Sequence, residues 1–546
     1  MRFWVKAIGL ALWLLPAWAA SLPGDLDARR LMQDSERRLQ QQLDARRQMP
    51  GGAGEAPLAP AAQADTRCLP IRSLRISGVV LLDSADRAAL PPLPTDCLSA
   101  QSIDELVRAL TARYVAHGYI AVRVHVQPVD AQGTVELRVE EGRVEAIRHP
   151  DGSAVPGNLF PGVTGRPLNL RDIEQGLDQA NRLASSQATV AIAPGESTGG
   201  SVLVLSDSEQ PVPHALLSFD NTGSDSTGRL LATGNLALDN PSGHFDFLSL
   251  NAQASLDDTA THHSSNGAFL YQLPLGYRTL TFNHAQSDYL NTLVIAGQVI
   301  PLSGETLQSS ARLDQVISRD QQQIGSLYGS LTHKQVRNRF MGEVQQLSSP
   351  TLTLATLGYN RLQLLPQGNV TLDLSLTRGL RWFGADSAAE RQNDALPDPQ
   401  FSRLNLSLGS VQQFGPWQWQ SALQGQASRE PLPAIEQLEL ADNGAVRGYR
   451  HNSLAGETGW VWRNTWSWRT RVQDIAWLPH LGVDVGREFP RDGVTPWQTV
   501  MGMSVGLAVA WHALSLDIEY SRPLKAPAGF APEPKQVLAR LIWQCW

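Results

Sequence analysis

The chain has 546 residues and a net charge of -7 at pH 7, and its basic residues form no extended tract. This length exceeds one ordinary globular core, so several domains are expected. The lack of a basic stripe removes the electrostatic footprint of a nucleic-acid-binding protein. The slightly negative mean hydropathy is compatible with a transmembrane β-barrel, because only alternate residues of its strands face lipid.

Residues 1–20 have the pattern of a secretory signal peptide. Arg2 and Lys6 precede an apolar run from Ala7 to Leu15, and a small-residue cleavage pattern follows at residues 17–19. The run is too short and wrongly flanked for a transmembrane helix, and no later apolar run is long enough to be one. An N-terminal anchor is the alternative interpretation. The pattern predicts export from the cytoplasm.

Residues 21–49 are predicted to form a polar plug helix. Between Asp25 and Gln48 a thin leucine stripe runs among arginine pairs at 29–30, 37–38 and 46–47. Such a helix has too little apolar surface for a core. Two interpretations stay open: a solvated helix or coiled-coil arm, or a helix that sits in a water-filled channel. The Gly-, Ala- and Pro-rich residues 50–66 are predicted to be a flexible linker.

Two small α/β units are predicted in tandem, at residues 67–141 and 142–208. In the first, helical spacing from Ser102 to His117 precedes alternating strands at Ile120–Val126 and Val135–Val139. The second repeats this order around a helix at Leu168–Leu183. Tandem units of similar organisation indicate a repeated small domain rather than one enzyme core.

Residues 209–546 are predicted to form an outer-membrane β-barrel. Apolar and polar residues alternate strictly, as in Val370–Leu376 and Leu514–Tyr520, which fits a soluble sandwich, a propeller or a transmembrane barrel. Of the fifteen tryptophans, twelve lie beyond residue 380. Aromatic girdles at membrane interfaces explain this clustering better than a soluble core does.

The last predicted strand, 537–546, leaves its lipid-facing side open. One face carries Val537, Leu541 and Trp543 and is the more apolar, but it is offset by one residue from the terminal Trp546. The sister face carries Arg540. Because a one-residue slip exchanges the two faces, either one could meet lipid, and a bulge would be one way to reconcile them.

Three cysteines are present. In an oxidising compartment Cys68 and Cys97 could close one loop inside a small domain, whereas Cys545 is expected to be a free thiol in a strand. No Cys/His cluster has the spacing of a zinc site, and no histidine pair forms HExxH. The sequence therefore predicts no metal and no other cofactor.

Over almost its whole length the sequence resembles a known family. The segments that carry the likeness are 68–78, 110–119, 139–144, 168–183 and 220–229. They resemble the two-partner secretion transporters of the FhaC/ShlB (TpsB) type. The resemblance implies two periplasmic polypeptide-transport-associated (POTRA) domains, a transmembrane barrel of sixteen antiparallel strands in the outer membrane, and a secreted partner exoprotein that the POTRA domains capture unfolded.

The most specific part of the likeness is Val446-Arg447-Gly448-Tyr449, followed by the strand motif Gly482-Val483-Asp484-Val485-Gly486. The resemblance implies a long extracellular loop that folds back into the lumen, with Arg447 paired to Asp484 on the inner wall. Arginine suits this role because it makes directional, charge-assisted contacts to a carboxylate. Gly448 would allow a tight tip that a Cβ would obstruct.

Other classes of function fit the sequence less well. Gly502 to Gly506 match G-x-S-x-G, but a nucleophile elbow needs a strand-to-helix turn, and Ser504 lies within a continuing strand. The sequence therefore predicts no enzyme, and it shows no nucleotide site. A barrel-assembly insertase of the same superfamily is the alternative, whereas a porin lacks periplasmic domains. The expected partners are a secreted exoprotein and outer-membrane lipids, with no nucleic acid.

Overall fold

The computed structural model describes residues 24–47, 73–91, 99–207, 212–257, 260–295, 297–390, 396–491 and 494–545. The predicted signal peptide, the linker, Cys68 and Cys97 lie outside these ranges. Within them, no helix is both long and apolar enough to span a membrane.

The N-terminal part has one separate helix and two small sheets. Helix α1 spans Asp25–Arg47. The first unit contains β1 (Ser73–Ser77), α2 (Ser84–Ala88), α3 (Ala100–Ala116), β2 (Val122–Val126) and β3 (Thr134–Glu141). The second contains β4 (Arg143–Arg148), α4 (Leu170–Asn181), β5 (Thr189–Pro194) and β6 (Gly200–Ser206). Both sheets have the same topology, because the last strand lies between a parallel first strand and an antiparallel second strand.

Capping and apolar spacing explain the longer helices of these units. The Ser99 side chain accepts a hydrogen bond from the Ser102 amide at the start of α3, and Asn169 does the same for Arg171 at α4. The buried side chains of α3 recur every three or four residues, which gives one apolar face against the sheet. They are Ile103, Leu106, Leu110 and Tyr114.

The remaining strands form a closed antiparallel barrel. Its strands are β7 (Val212–Asp220), β8 (Leu231–Asp239), β9 (Phe247–Ser255), β10 (His263–Leu275), β11 (Arg278–Ile295), β12 (Gln298–Arg319), β13 (Gln323–Phe340), β14 (Glu343–Val344), β15 (Thr351–Leu365), β16 (Gly368–Leu380), β17 (Ser402–Phe414), β18 (Trp417–Ser428), β21 (Gly459–Trp468), β22 (Thr470–Val472), β23 (Ile475–Glu488), β24 (Gln498–Trp511), β25 (Leu514–Lys525) and β26 (Gln536–Cys545). Short strands β19 (Leu438–Glu439) and β20 (Ala455–Gly456) pair within one long loop. The two-residue strand β14 only forms a short hairpin with the end of β13, and β22 continues β21. Sixteen strands therefore build the wall.

Closure of the barrel settles the orientation of the last strand. β26 pairs with β7 from Arg540 and Asp220 to Cys545 and Ala215. Val537, Leu541 and Trp543 are 57%, 40% and 49% exposed on the outside. Arg540 lines the internal cavity together with Asp220. The more apolar face of β26 therefore points outward.

Clustered tryptophans also lie on the outer surface rather than in a core. Trp417 and Trp468 are about half exposed on the neighbouring strands β18 and β21, with ring centroids 5.8 Å apart in a stacked arrangement. Trp511 and Trp543 are similarly exposed at the same rim. This is the near rim, defined here as the one that bears the turns at 240–246, 276–277 and 320–322. An exposed aromatic ring of this kind is typical of a membrane interface.

Helix α4 of the second unit rests on the near rim. Gln175 and Gln179 each donate a side-chain hydrogen bond to the carbonyl of Gly276, at 3.0 and 2.9 Å. Arg319, at the end of β12, forms ion pairs with Asp178 and, at 3.7 Å, with Glu174. The second unit is thus fixed to the barrel through polar contacts that are largely shielded from water.

Candidate functional site

The long connection between β18 and β21, residues 429–458, folds back into the barrel; it is called the lumen loop below. Val446 and Tyr449 near its tip are completely buried. They pack with the inward-facing Val461 of β21 and Val500 of β24. The apolar tip therefore lies against the inner wall rather than in solvent.

The structure brings Arg447 and Asp484 together at this tip. Arg447 donates from Nε to Asp484 Oδ2 at 2.7 Å and from Nη2 to Oδ1 at 2.6 Å, and its backbone amide donates to Oδ2 at 3.1 Å. The Arg447 side chain is 5% exposed and that of Asp484 is 0% exposed. A bidentate pair of this geometry holds both position and orientation.

Other groups on the wall also accept hydrogen bonds from the Arg447 guanidinium, and the sequence analysis did not predict these contacts. Nη1 donates to Ser504 Oγ at 3.0 Å and faces Glu519 at 3.5 Å. Nη2 donates to the Asn464 carbonyl at 2.9 Å and to Thr465 Oγ1 at 3.2 Å. Four neighbouring strands therefore contribute to one receptor site. The G-x-S-x-G match was the available signal, and Ser504 belongs to this site rather than to a nucleophile elbow.

Glycines make room for the loop tip. Gly448 has φ +96°, which favours glycine, and a Cβ there would overlap the backbone of Arg522 on β25. A Cβ at Gly482 would overlap the Arg447 guanidinium. A Cβ at Gly486 would press on Val446 at 3.1 Å. The predicted motif glycines thus lie directly under the loop they were expected to receive.

Tyr449 completes the tip as a neutral anchor. Its hydroxyl donates to the backbone carbonyl of Lys525 on β25, and its ring meets Phe530 edge-on with centroids 6.1 Å apart. Burial raises the pKa of Tyr449 to about 12. The phenol therefore keeps its proton, and so its donor, at any physiological pH.

Helix α1 lies inside the barrel. Ala28 and Met32 are buried against Tyr289 of β11, Val336 of β13 and Ile435 of the lumen loop. Asp27 accepts hydrogen bonds from Ser226 at 2.6 Å and from Asn291 at 3.1 Å. A cavity of about 700 Å³ remains beside the helix, lined by charged side chains of both signs. The structure thus gives α1 the channel position, one of the two that the sequence left open.

Most of the polar contacts of α1 reach the lumen loop. Arg29 Nε lies 2.9 Å from Glu439 Oε2, and both side chains are at most 3% exposed. Arg37 lies 3.3 Å from Asp442 Oδ1, where Gly444 leaves room for its guanidinium. Burial alone would raise the pKa of Asp442, but Arg37 and Arg30 outweigh burial and hold it below its ordinary value. Arg29, Arg30 and Arg37, from the first two arginine pairs of the helix, therefore contact the loop.

The described residues show no metal site. No group of three or more His, Cys, Asp or Glu side chains among them is arranged to hold an ion. Cys545 is a free cysteine. The possible disulfide between Cys68 and Cys97 lies outside the described ranges and stays a prediction.

Family models match most of the chain. Residues 199–509 match the model of haemolysin secretion/activation proteins ShlB/FhaC/HecB. Residues 69–142 match a POTRA domain of the ShlB type, and residues 143–194 match a second POTRA domain model.

Individual relatives match over nearly the full length. The hemolysin transporter protein ShlB of Serratia marcescens is 38% identical, over 95% of this chain and 94% of its own. The hemolysin transporter protein HpmB of Proteus mirabilis is 35% identical, over 91% and 90% of the two chains. The solved structure of CdiB from Escherichia coli superimposes with a TM-score of 0.85 at 28% identity, covering 97% of this chain and 100% of that one.

Proposed function

This chain belongs to the ShlB/FhaC/HecB family of haemolysin secretion/activation proteins, and we propose that its barrel carries an unfolded partner exoprotein outward after α1 leaves the lumen. It is an outer-membrane transporter of two-partner secretion, with its POTRA domains in the periplasm. The names of its relatives, hemolysin transporters and CdiB, fit this function better than a barrel-assembly insertase. The family consists of transporters, so the chemistry of the site is binding and movement.

The observation that carries the proposal is the way α1 is held in the lumen. Its buried apolar contacts come mainly from Ala28 and Met32, and fully burying a methionine contributes only about 1.5–3 kcal/mol. The other contacts are polar groups that water can hydrate in turn, such as Arg29 and Arg37. A helix held in this way can leave a wet channel at moderate cost, whereas one held by a wide apolar face could not.

Arg447 and Asp484 are proposed to keep the lumen loop in place while α1 moves. Breaking a buried pair by removing one partner costs on the order of 3–5 kcal/mol, because the other charge is left uncompensated. The Arg447 side chain donates to Asp484, Ser504 and the Asn464 carbonyl, all of which belong to the wall. The tip would therefore stay fixed when the helix departs, and the path would open between loop and wall.

The POTRA sheets offer edges for an extended chain. β2 and β5 are each an edge strand of their sheet, next to β3 and β6. Val126 on β2 and Ile192 on β5 are 53% and 46% exposed. Main-chain pairing to such an edge binds unfolded segments with little demand on sequence. These edges are the proposed capture sites for the exoprotein.

The proposal is tested by conductance and by secretion. In planar bilayers, deletion of residues 25–47 should turn a mostly closed channel into an open one; an unchanged current would show that α1 does not close the pore.

Arg447→Ala and Asp484→Ala should each abolish secretion of the partner while the barrel remains in the outer membrane. Arg278→Ala is the control, because the side chain of this exposed arginine donates to the neutral Gln315 and alanine keeps the backbone carbonyl that Gln179 contacts. Normal secretion by both Arg447→Ala and Asp484→Ala would show that this ion pair is not needed to hold the lumen loop.

A further inference from the structure

The lumen loop has a second buried attachment, far from its tip. Glu436 lies on the first arm of the loop, residues 429–440, and its side chain is 1% exposed. Lys334 Nζ of β13 lies 2.7 Å from Glu436 Oε1, and Arg403 Nη1 of β17 lies 2.6 Å from Oε2. Arg403 and Gln426 also donate to the Glu436 backbone carbonyl, both at 3.0 Å. Both the side chain and the backbone of Glu436 are thus bound to the barrel wall.

This attachment uses a different part of the wall from Arg447. The tip contacts β21, β23, β24 and β25, whereas Lys334 and Arg403 stand on β13 and β17. In the order of the barrel, β15 and β16 separate the two cationic strands, and β18 and β21 follow before β23. The loop is therefore tied to the wall at two separate places and spans the lumen between them.

Lys334 connects this attachment to the helix. The same Nζ that meets Glu436 also lies 2.7 Å from Glu36 of α1. The Glu36 side chain is 43% exposed, and an ion pair so open to water contributes about 1 kcal/mol or less. The Glu436 contacts are shielded and do not involve α1. Departure of the helix would remove one carboxylate from Lys334 and leave the other in place.

Glu436 is charged in this setting. Burial alone would raise its pKa, but Lys334 and Arg403 outweigh burial and hold it below the ordinary value. The apolar contacts of the arm depend partly on the helix, because Leu432 and Ile435 pack against Ala28 and Met32 of α1. Once the helix has left, part of that cover is gone, and the carboxylate contacts are the main buried attachment of the arm.

We propose that Glu436 is a positioning residue that holds the first arm of the lumen loop against β13 and β17 after α1 has left, and so keeps the arm out of the path of the exoprotein. The proposal rests on the proposed function, in which α1 vacates the lumen. It assigns Lys334 a double role, since this lysine pairs with the seated helix through Glu36 and with the loop through Glu436. Without the carboxylate, the arm would lose both of its buried ion pairs and keep only neutral or backbone contacts, such as those from Gln426 and Asp398, and we expect it to move within the channel.

Single-channel recording of the full chain separates this role from that of the helix. The frequency of openings reports departure of α1, and the steadiness of the open level reports the arm. Glu436→Gln should replace the steady open level by fluctuating substates and lower secretion, because it leaves Lys334 and Arg403 without their buried partner. Glu439→Gln is the matched variant: a buried glutamate of the same loop, it pairs with Arg29 of the helix. It should raise the frequency of openings and leave the open level steady.

A second variant guards against a folding defect. Arg403→Gln removes the other half of the attachment from a different strand and should give the same substates. Heat-modifiable migration in gels checks that each barrel is folded. Steady open levels in both Glu436→Gln and Arg403→Gln would overturn the proposal. A frequency of openings that Glu439→Gln does not change would instead count against α1 as the gate.

Discussion

At the scale of single residues, the buried Arg447 is stable because its donors find acceptors. Asp484 takes two side-chain hydrogen bonds, and Ser504, Thr465 and the Asn464 carbonyl take others. A buried guanidinium without such partners would carry a large desolvation penalty. Lysine at this position could keep the charge but not the planar fork, so the two residues are not interchangeable here.

A substitution that changes no charge can test whether the Arg447 guanidinium needs the space that Gly482 leaves. Gly482→Ala places a Cβ where the Arg447 guanidinium lies, and overpacking of this kind costs about 1–3 kcal/mol. We expect secretion to fall as it does for Arg447→Ala, measured as exoprotein released into the medium. Gly267→Ala is the control, since a Cβ at this strand glycine meets nothing within 4 Å. Equal secretion by the two alanine variants would contradict a close fit at Gly482.

The sequence identified part of this site only. Arg447 and Asp484 were paired through family resemblance, and the flanking Gly482 and Gly486 came with the same motif. Ser504 and Glu519 follow Arg447 by 57 and 72 residues. They meet it only because β23, β24 and β25 are neighbours in the closed barrel. Such proximity depends on strand register, which alternation in a sequence does not reveal.

At the scale of elements, α1 shows why a helix in a channel is hard to recognise. Its surroundings are polar on most sides, so the sequence has no wide apolar stripe to mark a buried face. Arg29 and Arg30 are nevertheless 2% and 9% exposed, because they reach the lumen loop. A solvated arm and a channel helix have the same composition. Only the position of the partner loop distinguishes them.

The contact between Arg29 and Glu439 is expected to keep the helix seated. Arg29→Ala leaves Glu439 buried with a hydrogen bond from Ser453 but without a cation, and loss of one member of a buried pair costs on the order of 3 kcal/mol. The frequency of channel openings in planar bilayers should therefore rise by about a hundredfold for that free-energy change. Gln41→Ala is the control, because Gln41 is exposed on the same helix. An unchanged frequency would show that this pair does not hold α1.

Mild acid is not expected to release the helix. The pKa of Asp442 lies below its ordinary value of 3.8, so its pairing with Arg37 persists as the pH falls to about 4 and is lost only below that. Burial raises the pKa of Asp27 in spite of hydrogen bonds from Ser226 and Asn291, so its protonation favours the seated helix as the pH falls. Openings at about pH 5 should be no more frequent than at about pH 7. A marked increase would point to another titrating contact.

At the scale of the whole molecule, alternation and tryptophan clustering were enough to predict the barrel, and the repeated strand–helix–strand–strand order was enough to predict two similar units. The outward face of β26 was not predictable. Arg540 and Val537 lie on opposite faces, and the local signals conflicted, because the more apolar face was offset by one residue from Trp546. Pairing of β26 with β7, more than 300 residues earlier, decides it. Long-range closure is the information that a single strand lacks.

The second POTRA unit is fixed to the barrel through α4, which restricts how the periplasmic part can move. The Arg319 side chain is 7% exposed and faces both Asp178 and Glu174. Tyr277 donates to Asp172 at 2.9 Å on the same helix. Strand β5, the proposed capture edge of this unit, packs beside α4. A rigid junction would hold that edge at a constant place below the lumen.

Removal of Arg319 should loosen this junction and weaken secretion. Arg319→Ala leaves Asp178 and Glu174 without their shared cation at a shielded surface, a loss on the order of 3 kcal/mol. Spin labels at the exposed positions 166 and 367, in a chain whose native cysteines are replaced, report the distance between unit and barrel. We expect a narrow distance distribution in the parent chain and a broad one in Arg319→Ala. Arg361→Ala, which removes an exposed arginine paired with Gln363, should leave the distribution narrow. If the distribution in Arg319→Ala stayed equally narrow, the side-chain hydrogen bonds from Gln175 and Gln179 to the Gly276 carbonyl would be sufficient to fix the domain, and the cation would have no positioning role.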